Sequence, residues 1–552
     1  MIKLNREFKM RSTVLFIMAV LVSLSVISAQ PKKVSLLTVA ENSNYESTSR
    51  YEDVMSFINS LKKLSKNFRV ETMGVSTEGK EIPLMILGSP LPESPADLKD
   101  DKRIVVYIQA NIHAGEVEGK EAALMFARDL LLDRKEILKD IVLLICPIFN
   151  IDGNEKISVD NRRHQKGPKN GVGLRYNGQN LDLNRDAMKV ETPEVKGLFT
   201  NVLNKWDPAI LVDLHTTNGS YRQEPVSFTW MMNPAGDTSL IAYTRDKLMP
   251  EISLTLSGKY NTMNLYYGEF VDQRDHSKGW ISYAYEPRYI VNYIGLRNRI
   301  GILNEDYVYS DFKERVIGTY NFLWSVLESA VTNKVEIKNI LMETDAKTVA
   351  RGNNPSKDDS LAVMSRVVPT KVSITVNTFE MEVRKDANGR ERLYPTEIKK
   401  TVTVPYLADY VPTKQTKIPF AYLLTVSDPK VLSVLKTHGI KMEKLLADTE
   451  IEVQSFRIKE LKPEQRLNQG HYNNIVKGDY TAEKKKFVKG TIVVRMAQPL
   501  ANVAAYLLEP ETDDGLLHWN FFDNHLVPQW GGGFLPYPVY KVMNKIEIIT
   551  GK

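Results

Sequence analysis

The chain has 552 residues, 73 of them Lys or Arg and 67 Asp or Glu, for a net charge of +6, and it is 43% hydrophobic and 25% charged. Such a balance supports a sizeable buried core and excludes a disordered chain, a collagen-like chain and a multi-span membrane protein. Lys3, Arg6, Lys9 and Arg11 against Glu7 carry +3 of that charge within the first 30 residues, which leaves too weak a field to argue for a nucleic-acid partner.

In chain order, residues 1–29 read as an export signal. Cations precede an apolar run from Thr13 to Ile27, short for a membrane span, and Ser28-Ala29-Gln30 offers small residues for cleavage. No Cys follows the run, and no later segment is long and apolar enough to span a bilayer. The mature protein is therefore expected to be soluble, secreted or periplasmic, with no stable membrane span after signal cleavage. The single cysteine, Cys146, lies in the apolar run Ile141–Phe149. It cannot form an internal disulfide and reads as a packing residue.

From about 50 to 330, helical and strand patterns alternate. Val54, Phe57, Ile58, Leu61 and Leu64 follow helical spacing, whereas Ile104–Ile108, Ile141–Ile145, Ile210–Leu214 and Ile300–Leu303 are compact apolar runs. Runs of that kind suit strands covered on both faces by helices. Thr192-Pro193-Glu194 marks a helix start, and Asp311 with Glu314 resembles a capping box. The alternation predicts an α/β fold. Residues 343–360 are polar and read as a linker, placed at 336–365. Beyond it, Val372, Ile374 and Val376 alternate, Asn388-Gly389 marks a turn, 429–447 has helical spacing, and the end is rich in aromatics, which read as packing residues. These features predict a main domain over 40–335 and a β-rich C-terminal domain over 366–552 of unknown role.

Gly74-Val-Ser-Thr-Glu-Gly79-Lys80 has the spacing of a phosphate-binding loop, but Glu81 stands where a Ser or Thr would hold Mg²⁺, and the segment leads into a strand. It is rejected as such. The informative segment is Asn111-Ile-His113-Ala-Gly-Glu116-Val-Glu-Gly-Lys-Glu121, between a strand and a helical pattern. A His and a Glu three residues apart at such a turn can offer nitrogen and oxygen donors to one Zn²⁺.

Four further pieces follow a common order with this motif. They are Ser76–Lys80 with the strand Ile82–Leu87, Asn150-Ile-Asp152-Gly153, Leu181-Asp182-Leu183-Asn184-Arg185, and His215 at the end of the run Ile210–Leu214. Together they resemble the zinc carboxypeptidase family, the relatives of carboxypeptidase A, over about 50–330. Ile151 replaces the proline of the family's Asn-Pro-Asp-Gly turn.

The resemblance implies a carboxypeptidase A-like mixed central sheet flanked by helices, with the β-rich C-terminal domain appended. It also implies one Zn²⁺ held by His113, Glu116 and His215, with a fourth position left for water. Glu305, after the run Ile300–Leu303, would be the general base. Asn184 and Arg185 would hold a substrate's terminal carboxylate, and Asp182 would orient His113. Arg175, in Arg175-Tyr176-Asn177, is preferred over Arg162 and Arg163 as the oxyanion-stabilising arginine. Tyr283 or Tyr285 would be the mobile tyrosine that closes over substrate, with Tyr283 preferred. The implied activity is hydrolysis of C-terminal peptide bonds in peptides with a free C-terminus. Two other readings stand beside it: a zinc-dependent deacylase or amidase acting on N-acyl amino acids or cell-wall peptides, and a non-catalytic binding protein on this fold.

Overall fold

Apolar runs with no polar alternation become strands with no solvent-facing side. In the computed structural model, which describes residues 36–217, 219–385 and 388–551, Ile104–Ala110, Ile141–Cys146 and Ile210–Thr217 are buried at every position. The predicted export signal lies outside the described residues. The strands that matter below are β1 (Phe68–Val75), β2 (Glu81–Leu87), β3 (Ile104–Ala110), β4 (Ile141–Cys146), β5 (Ile210–Thr217), β6 (Val226–Trp230), β7 (Asn264–Tyr266), β8 (Glu269–Phe270), β9 (Trp280–Ile281) and β10 (Ile300–Tyr307). Among the described residues the largest sheet has eight strands in the order β1-β2-β4-β3-β5-β10-β6-β7. It is mixed: β4, β3, β5 and β10 run parallel, and the β1, β2 and β6 pairings onto them are antiparallel.

Helices cover the sheet because their apolar stripes have nowhere else to go. Tyr51–Leu64 buries Val54, Phe57, Ile58 and Leu61, each worth about 1.5–3 kcal/mol of transfer free energy. Thr192 caps the helix that opens at Pro193, accepting from Val195 N–H, and Asp311 caps Phe312–Thr332, accepting from Glu314 N–H. Glu118–Asp133 and Phe312–Thr332 pack through Val117, Ala122, Met125, Phe312 and Val316. Cys146 is a buried free thiol, and burial pushes its pKa up, against nucleophilic use. The α/β class with a mixed, helix-flanked sheet and a strand-rich C-terminal region is what the chain adopts.

The region read as a linker is a correction. Lys334–Asn353 is a helix, and strand β11 (Ser360–Pro369) follows closely. Ile337, Leu341, Thr344, Thr348 and Gly352 form its buried stripe. That stripe is narrow and partly polar, so the surrounding Lys, Asp, Glu and Asn residues mask it in the sequence. Strands β12 (Ile374–Lys385) and β13 (Glu391–Val404) form a hairpin around Asn388-Gly389, and β14 (Tyr406–Lys417) pairs with β11. β14 also pairs with β9 through Tyr406–Trp280 and Leu407–Ile281, in a sheet ordered β11-β14-β9-β8. The C-terminal region thus shares a sheet with the first 330 residues, and Thr38–Lys552 form one compact unit.

The helix expected over 429–447 stops earlier. It spans Pro429–His438 and ends at Gly439, whose left-handed φ of 86° closes the cap; Glu443–Leu445 is already strand. The late aromatics divide: Trp519 and Phe522 are buried, whereas Trp530 is 85% exposed.

Gly352 gives a test of the corrected helix. A Cβ there would stand 1.9 Å from the Met496 carbonyl oxygen. Gly→Ala on an exposed helix face would stabilise by up to about 1 kcal/mol. Here Gly352→Ala should destabilise by about 1–3 kcal/mol through overpacking, read as a lower midpoint in denaturant unfolding. A raised midpoint would contradict the packing described.

Candidate metal centre and substrate cavity

β3, β5 and β10 are parallel neighbours, so their carboxyl ends open on the same edge of the sheet, where ligands bind in open α/β folds. Asn111 follows β3 with φ of 63°, and its Nδ2 donates to the carbonyls of Ala114 (3.3 Å) and Glu116 (3.2 Å). Asparagine enters this backbone region at little cost. The turn brings His113 and Glu116 to one side before the helix Glu118–Asp133 begins. Gly119 lets that helix lie on β5, since a Cβ would stand 2.7 Å from Leu214 Cβ. His215 arrives from β5, and Glu305 sits beside it in register on β10.

His113, Glu116 and His215 each offer a donor atom within 4.8 Å of the others, and all three are buried. The two Nδ1 atoms are 3.1 Å apart, and they lie 3.1 and 3.0 Å from Glu116 Oε1 and Oε2. The opposite ring nitrogens are engaged: His113 Nε2 is 3.1 Å from Asp182 Oδ1, and His215 Nε2 is 2.9 Å from Asp213 Oδ2. A carboxylate on Nε2 fixes the proton there and turns the Nδ1 lone pair inward. Two imidazoles and one carboxylate, buried and pre-aimed, fit Zn²⁺ in a site with an open position.

Electrostatics favour a cation at this point. Burial would lower the His215 pKa, but Asp213 and Glu116 raise it well above its ordinary value. Burial would raise Glu116, but His113 and Arg162 hold it well below the carboxylate range. Glu305 goes the other way: burial pushes its carboxyl up to about 8 despite nearby His215. A carboxyl poised above its normal range beside a metal centre has the makings of a proton acceptor and donor.

A cavity of about 400 Å³ adjoins the cluster, and Arg175, Asn184, Arg185, Tyr283 and Glu305 all line it. Arg175 donates to Asp182 Oδ2 from Nε (3.0 Å), its Nη2 is 2.8 Å from the same oxygen, and its Nη1 is 3.5 Å from Glu116 Oε1. Arg162 lines none of this cavity. It grips Glu116 Oε1 (2.8 Å) and the Thr216 carbonyl (2.9 Å), tethering the two motifs. Arg185 stacks its guanidinium 4.3 Å over the Tyr289 ring and donates to the Asn184 carbonyl (2.8 Å). Asn184 Oδ1 accepts from Ile290 N–H (3.0 Å). The Asn150–Gly153 turn is structural: Asn150 Nδ2 donates to the Arg175 carbonyl, and Asp152 takes Ser76 Oγ–H and Glu78 N–H from the β1–β2 turn.

Tyr283 lines the cavity, with its hydroxyl within hydrogen-bond distance of the Trp230 carbonyl (3.0 Å) and Asn292 Oδ1 (2.9 Å), either of which can take its single proton. Tyr285 is also tied, through its hydroxyl to Asp513. The sequence reading missed Asp213, which the Asp-Leu-His spacing could have revealed, because residues two apart on a strand share a face. It also missed Tyr289 and Gln469, whose Oε1 accepts from Asp182 N–H (2.8 Å); no local pattern marks either.

Donors of this kind at the ends of parallel strands, beside a carboxylate and two arginines, define a metal-dependent hydrolase site. Residues 54–219 match the family described as zinc carboxypeptidase. Carboxypeptidase 2 of Trichophyton rubrum is 23% identical over 485 residues, covering 85% of this chain and 81% of that protein. A probable carboxypeptidase 2 of Arthroderma benhamiae is 22% identical over 457 residues, covering 80% and 79%. Among solved structures, a metallo-carboxypeptidase from Burkholderia cenocepacia (TM-score 0.39, 16% identity) covers 52% of this chain and 70% of its own. Carboxypeptidase A from Helicoverpa armigera (TM-score 0.39, 16% identity) covers 52% and 75%. These matches support a zinc metallocarboxypeptidase, the family likeness being carried by residues 54–219.

If the carboxylates behind the histidines set their tautomers, Asp213→Asn should weaken zinc binding by about 10–100-fold. Competition against a chromogenic chelator measures this. Unchanged affinity would remove Asp213 from the centre.

Proposed function

We propose that the protein hydrolyses the C-terminal peptide bond of peptides with a free carboxylate, using one Zn²⁺ and a glutamate base. His113, Glu116 and His215 would hold the ion, with Asp182 and Asp213 orienting the imidazoles. Bound zinc would supply Lewis acidity, polarising the scissile carbonyl and making a water acidic enough to attack near neutrality. Glu305 takes the proton of the attacking water and passes it to the leaving amine; it lines the cavity and lies in register beside His215, which suits that role. Arg175 stabilises negative charge growing on the carbonyl oxygen. Its own position is held by Asp182, so little reorganisation is needed during reaction.

Arg185 and Asn184 bind the terminal carboxylate. A planar guanidinium donates two parallel hydrogen bonds to a carboxylate, and stacking on Tyr289 fixes the plane in which it does so. The observation that carries this reading is one cavity lined by His113, Glu116, Glu305 and Arg185 together. Two of the proposed metal ligands, the proposed base and the proposed carboxylate anchor therefore face one space, which supports an exopeptidase reading. Secretion or periplasmic export is part of the same proposal. Its support is the charge and apolar pattern of residues 1–29 and the lack, among the described residues, of any helix long and apolar enough to cross a membrane.

The test pairs a peptide with its C-terminally amidated twin. The free-carboxylate form should be cleaved at least tenfold more efficiently in kcat/KM. Equal cleavage would overturn the exopeptidase reading, while faster turnover of small N-acyl amino acids would favour a deacylase. Glu305→Gln should lower kcat by about 10²–10⁴-fold with zinc content unchanged by metal analysis. Bound zinc with full activity in that variant would refute the assigned base.

A further inference from the structure

The cavity wall formed by residues 280–290 is held from outside the segment that matches the family. Ser282 N–H donates to the Leu407 carbonyl (3.0 Å), and Tyr410 Oη–H donates to the Tyr283 carbonyl (2.8 Å). Farther along, Asp514 Oδ2 takes two bonds from Arg288, from its backbone N–H at 2.9 Å and from its Nε at 3.1 Å. Arg288 Nη2 donates to the Asp513 carbonyl (2.9 Å), and Trp519 Nε1 donates to Asp514 Oδ1 (3.1 Å). Asp514 is fully buried, so its orientation is fixed by these partners. Hydrogen bonds from a planar guanidinium to a carboxyl group are directional, so they fix the position of both partners.

The residues just after Arg288 touch the carboxylate anchor. Tyr289 carries the ring under the Arg185 guanidinium, and Ile290 N–H is bonded to Asn184 Oδ1. Three consecutive residues therefore connect a C-terminal carboxylate to both members of the proposed clamp. We infer that Asp514 is a positioning residue: through Arg288 it sets where Tyr289 and Ile290 lie, and so where Arg185 and Asn184 meet the substrate's terminal carboxylate. The C-terminal region thereby acts as part of the substrate site, although none of its residues is assigned to the chemistry. The inference rests on the clamp role proposed above.

The physical expectation follows from where the contact acts. Displacing the clamp weakens binding of the carboxylate in ground state and transition state alike, which appears in KM and leaves kcat largely intact. Replacing the Asp514 carboxyl weakens the bonds that hold the Arg288 backbone and side chain, and so loosens the placement of residues 288–290 on which bidentate recognition depends.

The experiment uses the full-length enzyme, the peptide and its amidated twin. Asp514→Asn should raise KM for the free-carboxylate peptide about tenfold, change kcat less than threefold, leave the amidated twin's kcat/KM unchanged and keep its zinc. Arg288→Lys keeps the charge but loses the planar fork, and should shift KM in the same direction; it carries the test if Asp514→Asn is not recovered folded. In the double variant Asp514→Asn/Arg185→Ala, KM should rise by clearly less than the product of the two single effects, because part of what Asp514 positions is already gone. Unchanged KM in both single variants would overturn the inference, as would additive effects in the double variant. So would equal losses on both substrates together with lost zinc, which would mean a purely structural role. Wild-type enzyme that does not distinguish the two peptides would instead bring down the exopeptidase reading itself, and this inference with it.

Discussion

The site depends on the parallel pairing of β5 with β10 and β3 in the middle of the sheet. Parallel strands place their carboxyl ends at one edge, so side chains more than a hundred residues apart arrive at one point without a long loop to carry them. The register sets His215 beside Glu305. A one-residue slip would turn one of the two to the opposite face, because strand side chains alternate. The apolar filling of these strands holds the register, since every slip would expose buried residues of β5. Packing energy, rather than any bond within the site, thus fixes the distance between base and metal ligands.

Around that point, opposite charges are layered. Two carboxylates, Asp182 and Asp213, stand behind the histidines, and two arginines, Arg162 and Arg175, flank Glu116. An unpaired charge at such depth would be costly, and each is satisfied by a neighbour with its own further partner. Asp182 carries most of this burden: His113, Arg175 and the Asn184 N–H all bond to it, and Gln469 accepts from its backbone N–H. One carboxylate therefore couples the candidate metal ligands, the proposed oxyanion arginine and the proposed carboxylate anchor.

The C-terminal region enters the same network from the far side. It shares a sheet with β9, ties the 280–290 wall through Leu407, Tyr410, Asp513 and Asp514, and reaches Asp182 through Gln469. On the other flank, Glu224, on the chain leading into β6, accepts from Asn377 N–H and Nδ2 in the β12–β13 hairpin. The 280–290 wall and the segment leading into β6 are thus both braced by the last third of the chain.

Sequence by itself determined what is local. Periodicity fixed the α/β alternation, since a strand buried on both faces must be apolar throughout and a capped helix must start at its cap. The His-x-x-Glu spacing marked His113 and Glu116 as candidates, and the family resemblance, rather than spacing, added Asn184, Arg185 and His215. Tertiary structure decided what depends on distant surfaces. The helix Lys334–Asn353 could not be told from a linker, because its buried stripe is defined by distant segments packed against it, among them those carrying Asn298 and Met496. The choice between Arg162 and Arg175 for the cavity required the fold of the loop that carries both. Asp514 and Gln469 are ordinary polar residues in sequence, and their part in the site arises only from long-range packing, which leaves no periodic trace in the chain.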